Sequence, residues 1–170
     1  QDYNNLYNYL ISYKTKNNLF ANTKNSDLVS LKNTFLALQI LNHLQNLDDS
    51  VEFSSKDNVN KVISSIFNEI ESKFQRLSDN IGVFFDKSNA KDIFELNYES
   101  IVGLNESIKK NPNEKISKIL SSIRNYMLEF KYSFNNLNDI FYILKSLEIL
   151  NTLPILRIEK NFIYREDDDK

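Results

Sequence analysis

Residues 137–151 read LNDIFYILKSLEILN, and this stretch decides the fold class. A polar residue opens it, a Phe follows closely, and aliphatic side chains then recur every three or four positions. That is the period of an amphipathic helix with a wide apolar face. Two upstream stretches share the design: residues 33–44, NTFLALQILNHL, and residues 92–105, DIFELNYESIVGLN.

Between these broad stretches lie narrower ones. Residues 59–77 carry Val59, Val62, Ile63, Ile66, Phe67, Ile70, Phe74 and Leu77 on one stripe, which predicts a one-sided helix of five turns on the exterior. Residues 113–130 repeat the pattern with Ile116, Ile119, Leu120, Ile123, Met127 and Phe130, behind Pro112 and an Asn113 cap. Residues 2–13 form a further amphipathic helix with Tyr3, Leu6, Tyr7, Leu10 and Ile11 on one face. Residues 14–25 read as a polar loop, and Ser26 or Asp27 as the cap of a helix reaching Leu47 with Leu28 on its apolar face. Ser54 or Ser55 caps the helix after it, and Ser88 or Asn89 opens the one containing Ile93. Gly82 breaks the period at residues 80–86, so Val83, Phe84 and Phe85 are expected to enter the core as an extended connector. Pro154 stops the helix of residues 137–150, and residues 155–164, ILRIEKNFIY, alternate enough to predict a short strand.

Broad and one-sided helices thus alternate. Asp92 and Asp139 stand 47 residues apart, close to the spacing of two-helix solenoid repeats. The expected class is all-α: stacked antiparallel helical hairpins in an α/α superhelix or partial toroid, with one short C-terminal strand. A plain up-down bundle is the alternative. Residues 1–153 form the helical-repeat domain, and residues 154–170 an exit segment with a charged tail. Only two Gly and two Pro in 170 residues agree with long helices and few tight turns.

Composition narrows the chemistry. The net charge of −2 carries no footprint for nucleic acid. Absence of Cys excludes disulfides and thiolate metal sites. No window reaches the roughly 18 apolar residues of a membrane span. Gln1 leads to the expectation of a processed piece of a longer parent, with no signal peptide in the piece itself. The lone His43 has no second His to share a metal, and Asp48-Asp49, Glu69/Glu71 and Asp167 to Asp169 read as solvated acids. No catalytic, cofactor-binding or metal-ligating residue is assigned. Two features remain as candidates: an interaction edge of Tyr3, Tyr7, Tyr9 and Tyr13, and an Asn105-Glu106-Ser107 glycosylation sequon that makes Asn105 a candidate acceptor.

Three segments carry a resemblance. ISSIFNEIESKFQRLSDNIGVFF (residues 63–85), NAKDIFELNYESIVGL (residues 89–104) and FNNLNDIFYILKSLEILNTLPILRIEKN (residues 134–161) resemble successive helices and the connector of the ribophorin II family, in its N-terminal luminal helical region. Residues 31–44 are similar to the helix before them, and residues 1–25 match nothing in the family. The motifs are packing patterns, so no catalytic residue carries over. The resemblance implies a non-catalytic scaffold of the oligosaccharyltransferase complex in the lumen of the endoplasmic reticulum. Its partners would be the other subunits of that complex. A β domain and membrane helices would follow in the parent, with no membrane insertion by this segment. A helical surface or secreted antigen, binding a host protein through its tyrosines, is the runner-up. An α/α-toroid enzyme with Glu95, Glu99 and Glu148 in a central funnel ranks third.

Overall fold

The computed structural model describes residues 2–48, 50–87, 93–129 and 136–151. Over the described residues the chain is all-α apart from one small two-stranded sheet. Among the described residues the elements are α1 (Tyr3–Ile11), α2 (Leu31–Gln45), α3 (Lys56–Ile70), β1 (Phe74–Arg76), β2 (Gly82–Phe84), α4 (Ile93–Lys110), α5 (Glu114–Glu129) and α6 (Leu137–Leu150). The expected strand at residues 155–164, the start of α4 at Ser88 or Asn89, and Phe130 lie outside the described residues, as does the exit segment from residue 154.

An inner layer runs α2, α4, α6. Cross-contacts fix its sense: Lys32 meets Glu95, Gln39 meets Glu99, and Asn42 meets Gly103, so α2 and α4 run parallel. Tyr98 stacks near Tyr142, with ring centroids 5.5 Å apart, and Lys109 lies across from Glu148, so α6 follows the same direction. Parallel inner helices require a return path behind each pair. α5 returns antiparallel to α4, as the Phe94–Tyr126 ring contact at 6.0 Å shows, and packs on α6 as well. α3 starts at the C-terminal end of α2, where Gln45 donates to Asn60 at 2.5 Å. It ends beside the start of α5, where Lys115 pairs with Glu71 at 2.8 Å.

The seam between α2 and α4 is tight because α4 presents small residues there. An added Cβ on Gly103 would stand 3.1 Å from the Phe35 carbonyl oxygen and 3.2 Å from the Leu38 Cβ. The helix tolerates a glycine, at a cost of about 1 kcal/mol relative to Ala, in exchange for this approach. A buried polar chain closes the seam. Asn42 donates to the Gly103 carbonyl at 3.0 Å, and the Ser107 hydroxyl lies 2.9 Å from the Asn42 Oδ1 that accepts from it.

Three expectations need correction. α2 begins at Leu31 under an Ser30 cap that accepts from the Asn33 N–H at 3.2 Å, so Ser26 and Asp27 do not cap it and Leu28 stands exposed. The reason lies in residues 14–25, which are not a polar loop alone: Leu19, Phe20 and Ala21 are buried. The Thr34 hydroxyl accepts from the Phe20 N–H at 3.0 Å, and Ser30 N–H donates to the Phe20 carbonyl at 2.8 Å, so the preceding chain is tied down in extended form. Secondly, α3 stops at Ile70 instead of Leu77. A 3-10 turn (Glu71–Lys73) follows, and Phe74 pairs with Phe84 in an antiparallel hairpin, rings 5.2 Å apart. A Cβ on Gly82 would strike the Phe74 ring and lie 2.8 Å from the Gln75 carbonyl oxygen, so glycine serves close approach there, with no positive φ. Thirdly, Ser55 caps α3 by position without a side-chain hydrogen bond. α6 is the least covered inner helix: Ile143, Ser146 and Leu150 are buried, while Leu137, Phe141 and Leu144 face outward.

β2 is buried along its length, and among the described residues its free edge meets no third strand. Asn97 of α4 takes that place. Its Oδ1 accepts from the Phe84 N–H at 2.9 Å, and its Nδ2 donates to the Phe84 carbonyl at 2.9 Å and to the Ile93 carbonyl at 2.8 Å. One carboxamide therefore satisfies both backbone groups of a buried strand residue.

Candidate functional site

The tyrosine edge divides in two. Successive helical residues are about 100° apart, so Tyr3 and Tyr7 share a face that Tyr9 does not. Tyr7 is buried edge-on against Phe53, centroids 6.0 Å apart, and Tyr3 is half-buried. Burial pushes the Tyr7 phenol above its ordinary pKa. Tyr7 is thus a core residue and does not belong to an exposed edge. Tyr9 is exposed, and its hydroxyl stands 3.0 Å from that of the half-buried Tyr13. That hydrogen bond, with partial burial, raises the Tyr13 pKa. Lys24 sits with its Nζ 4.0 Å from the Tyr9 ring centroid and 5.8 Å from that of Tyr13, a cation over two rings. Beside them an apolar slot of about 150 Å³ opens between α1 and α2, walled by Leu10, Phe20, Leu36 and Ile40.

A second surface is the outer face of α6. Leu137, Phe141 and Leu144 are 81, 52 and 62% exposed and fall at i, i+4 and i+7, one line along the helix. Single exposed apolar residues are ordinary on a protein surface; three large ones in a row form a patch that water covers poorly.

The third is a groove of about 460 Å³ between α4 and α6. Tyr98, Val102 and Asn105 come from α4 and Ile149 from α6. Ion pairs stand on both rims, Lys109 with Glu106 at 2.5 Å and Lys145 with Glu148 at 2.8 Å. The Glu148 carboxylate, as hydrogen-bond acceptor and neighbouring charge, holds the Lys145 ammonium above its usual pKa.

Asn105 is corrected as a glycosylation acceptor. It lies within the 18-residue helix α4 and is only 3% exposed, and Ser107 of its sequon is fully buried in the α2–α4 seam. A glycan acceptor is a surface Asn, and this side chain is buried. The acids of the enzyme reading do not converge. Glu95 pairs with Lys32 at 2.8 Å, Glu99 accepts from Gln39 at 2.6 Å, and Glu148 stands alone of the three in the α4–α6 groove. His43 is exposed near the end of α2. Among the described residues no cluster of His, Cys, Asp and Glu is placed to hold a metal ion, and no helix is long and apolar enough to cross a membrane.

Two polar residues, Asn97 and Arg124, escaped the sequence pattern, and a third, Asn105, was expected at the surface. Asn97, Asn105 and Arg124 all lie inside helical stripes and are all buried. Arg124 is 4% exposed, and its Nε and Nη1 have no hydrogen-bond partner. The available signal was small: a polar residue at a position where the 3.6 period calls for an apolar one. No family model, curated protein or solved structure matches this chain.

Proposed function

We propose that this chain is a non-catalytic helical scaffold that binds other proteins, and that the assembly it serves is the oligosaccharyltransferase complex of the endoplasmic reticulum. The observation that carries the scaffold part is the line of Leu137, Phe141 and Leu144 on α6. Burying three such side chains in an interface removes enough apolar surface to contribute about 1.5–3 kcal/mol each before the costs of association. The resemblance of residues 63–85, 89–104 and 134–161 to the ribophorin II family supplies the choice of complex, and with it a luminal location.

The test is recovery of the full-length protein from gently solubilised membranes, as wild type and with Leu137→Glu and Phe141→Glu together. Near-equal recovery of the catalytic oligosaccharyltransferase subunit with wild type, and its loss with the double variant, is the expected result. Wild type recovered without that subunit rejects the complex; equal recovery with both proteins rejects α6 as the docking face.

A second reading is favoured by one feature, the exposed Tyr9–Tyr13–Lys24 cluster beside the α1–α2 slot. It would make the chain a surface or secreted antigen that grips a host protein by its aromatic edge. Tyr9→Ala would then abolish binding to host-cell surfaces while the α6 double variant leaves it intact.

A further inference from the structure

We propose that Tyr9 and Tyr13 form a site of oxidative modification: a one-electron oxidant of the haem-peroxidase class, supplied with hydrogen peroxide, joins their rings into a dityrosine within the chain. The inference depends neither on the partner that α6 binds nor on whether the aromatic edge grips another protein.

Composition directs oxidation to tyrosine. The chain has no Cys and no Trp, and its one methionine, Met127, is fully buried. The sulfur side chains that oxidants attack most readily are therefore missing or out of reach. Geometry then selects one pair of phenols. Tyr9 is 55% exposed, so a protein-sized oxidant reaches it. Tyr13 follows four positions later, where a helical side chain meets its neighbour. The two hydroxyl oxygens stand 3.0 Å apart and the ring centroids 5.5 Å apart. Tyr98 and Tyr142 approach as closely by ring centroid, but both are half-buried between α4 and α6. Tyr7 and Tyr126 are buried.

The chemistry follows from that contact. The oxidant removes an electron and a proton from Tyr9 and leaves a neutral phenoxyl radical. The Lys24 ammonium, 4.0 Å from the Tyr9 ring centroid, opposes a positively charged ring, so electron and proton leave together. The Tyr13 hydroxyl then passes its hydrogen atom to the Tyr9 oxygen. The radical moves inward to the half-buried ring, and the exposed Tyr9 is free to be oxidised again. Two radicals now lie in contact. The para carbon of each ring carries the side chain, so the new C–C bond forms between ortho carbons (Cε). Each joined carbon gives up its hydrogen, and each phenol oxygen regains one. In sum the two phenols lose two hydrogen atoms, and hydrogen peroxide takes them to become two waters. A reactant held in contact outcompetes one that must diffuse, so the bridge forms within a chain before it forms between chains. Its effect is to fasten the end of α1. The Tyr13 carbonyl accepts from the Ala21 N–H at 3.0 Å, and Ala21 is buried beside α2.

The test treats the full chain, at low protein concentration, with a haem peroxidase and hydrogen peroxide. Wild type is compared with Tyr9→Phe, Tyr13→Phe and Tyr98→Phe. The first two keep a ring in place and lose only a hydroxyl at the surface, so the fold is retained, which circular dichroism checks. Wild type should gain blue dityrosine fluorescence in the monomer and lose the mass of two hydrogen atoms. Cleavage after Leu10 should leave two fragments held together through Tyr9 and Tyr13. Tyr9→Phe and Tyr13→Phe should each lose the fluorescence, and Tyr98→Phe should keep it. No fluorescence from wild type, fluorescence confined to covalent dimers, or undiminished fluorescence from Tyr9→Phe would each overturn the proposal. So would a bridge mapped to Tyr98 and Tyr142, or to Tyr132 or Tyr164.

Discussion

Replacing Asn97 by Leu tests how the small sheet is held to the helices. The Asn97 side chain is fully buried and makes three hydrogen bonds of 2.8–2.9 Å, two of them to Phe84. Leucine has a similar reach but no polar atoms. The Phe84 N–H and carbonyl would then be buried without partners, each costing about 1–3 kcal/mol. Added apolar burial returns roughly 1–2 kcal/mol, and the net loss is about 2–4 kcal/mol. For a chain of this size that is a fall of roughly 5–15 °C in Tm. Urea unfolding followed by far-UV circular dichroism gives the free energy, and hydrogen exchange at the Phe84 amide gives the local effect. Asn97→Asp keeps an acceptor for the Phe84 N–H but faces an oxygen towards two carbonyls, so it should lose more. Asn125→Ala is the control: its one hydrogen bond, to the Asn80 carbonyl at 2.9 Å, is exposed, and its loss should stay under about 1 kcal/mol. A loss below about 0.5 kcal/mol for Asn97→Leu, with Phe84 protection unchanged, would refute the pairing as the tie between β2 and α4.

The Gly103 seam predicts that Gly103→Val, whose branched side chain meets the α2 backbone, destabilises by more than about 2 kcal/mol in the same urea assay; a neutral result would mean α2 slides freely. Arg124→Met should raise stability by about 1–3 kcal/mol, because Met keeps the stem and removes buried, unpaired nitrogens; a drop in Tm would show that the guanidinium has an anionic partner. Burial raises the pKa of Tyr7 and Tyr126 above 10.0. A phenol that holds its proton longer when folded contributes stability that is full below pH 10 and is lost as pH rises beyond it, since the unfolded chain then binds fewer protons. Urea midpoints should hold up to about pH 10 and fall above it, and Tyr126→Phe should lessen the fall; equal slopes would show that Tyr126 does not contribute to it.

The one-sided stripes of α3 and α5 were plain in the sequence because each helix faces a single layer, so its period survives intact. The Asn113 cap and the extended Val83–Phe84 connector were also visible, for local reasons: an Asn immediately before the helical stretch accepts from the Ile116 N–H at 3.1 Å, and a glycine interrupts an apolar run. What sequence could not show depends on partners distant in the chain. Leu28 continues the α2 period, but residues 19–21 claim the space beneath α2 and pull its start to Leu31. Phe74 and Leu77 continue the α3 period equally well; the Phe84 ring decides that Phe74 serves a strand, and Leu77 is left 58% exposed. The wide apolar face of residues 137–150 was legible as a helix, but not that Leu137, Phe141 and Leu144 would stand exposed. Hydrophobicity states that a face wants cover, not which molecule provides it. The role of Asn97 stayed hidden because a carboxamide within a stripe gives the same letter whether it ties a strand or points to solvent.

The common direction of α2, α4 and α6 has an electrical consequence. Peptide dipoles in each helix add up to about half a unit charge at either end, positive where N–H groups are free and negative where carbonyls are. Three aligned side by side repel one another, and among the described residues α5, antiparallel to α4, offsets one of them. Side chains at the two ends offset the rest. At the starting rim Glu95 and Asp139 sit in the first turns of α4 and α6. At the far rim Lys109 and Lys110 close α4, and the Lys110 ammonium reaches 3.3 Å to the Gln45 carbonyl of α2, bridging two negative poles at once. Each rim of the layer therefore carries side-chain charge opposite in sign to the helix poles gathered there, an offset confined to the first and last turns.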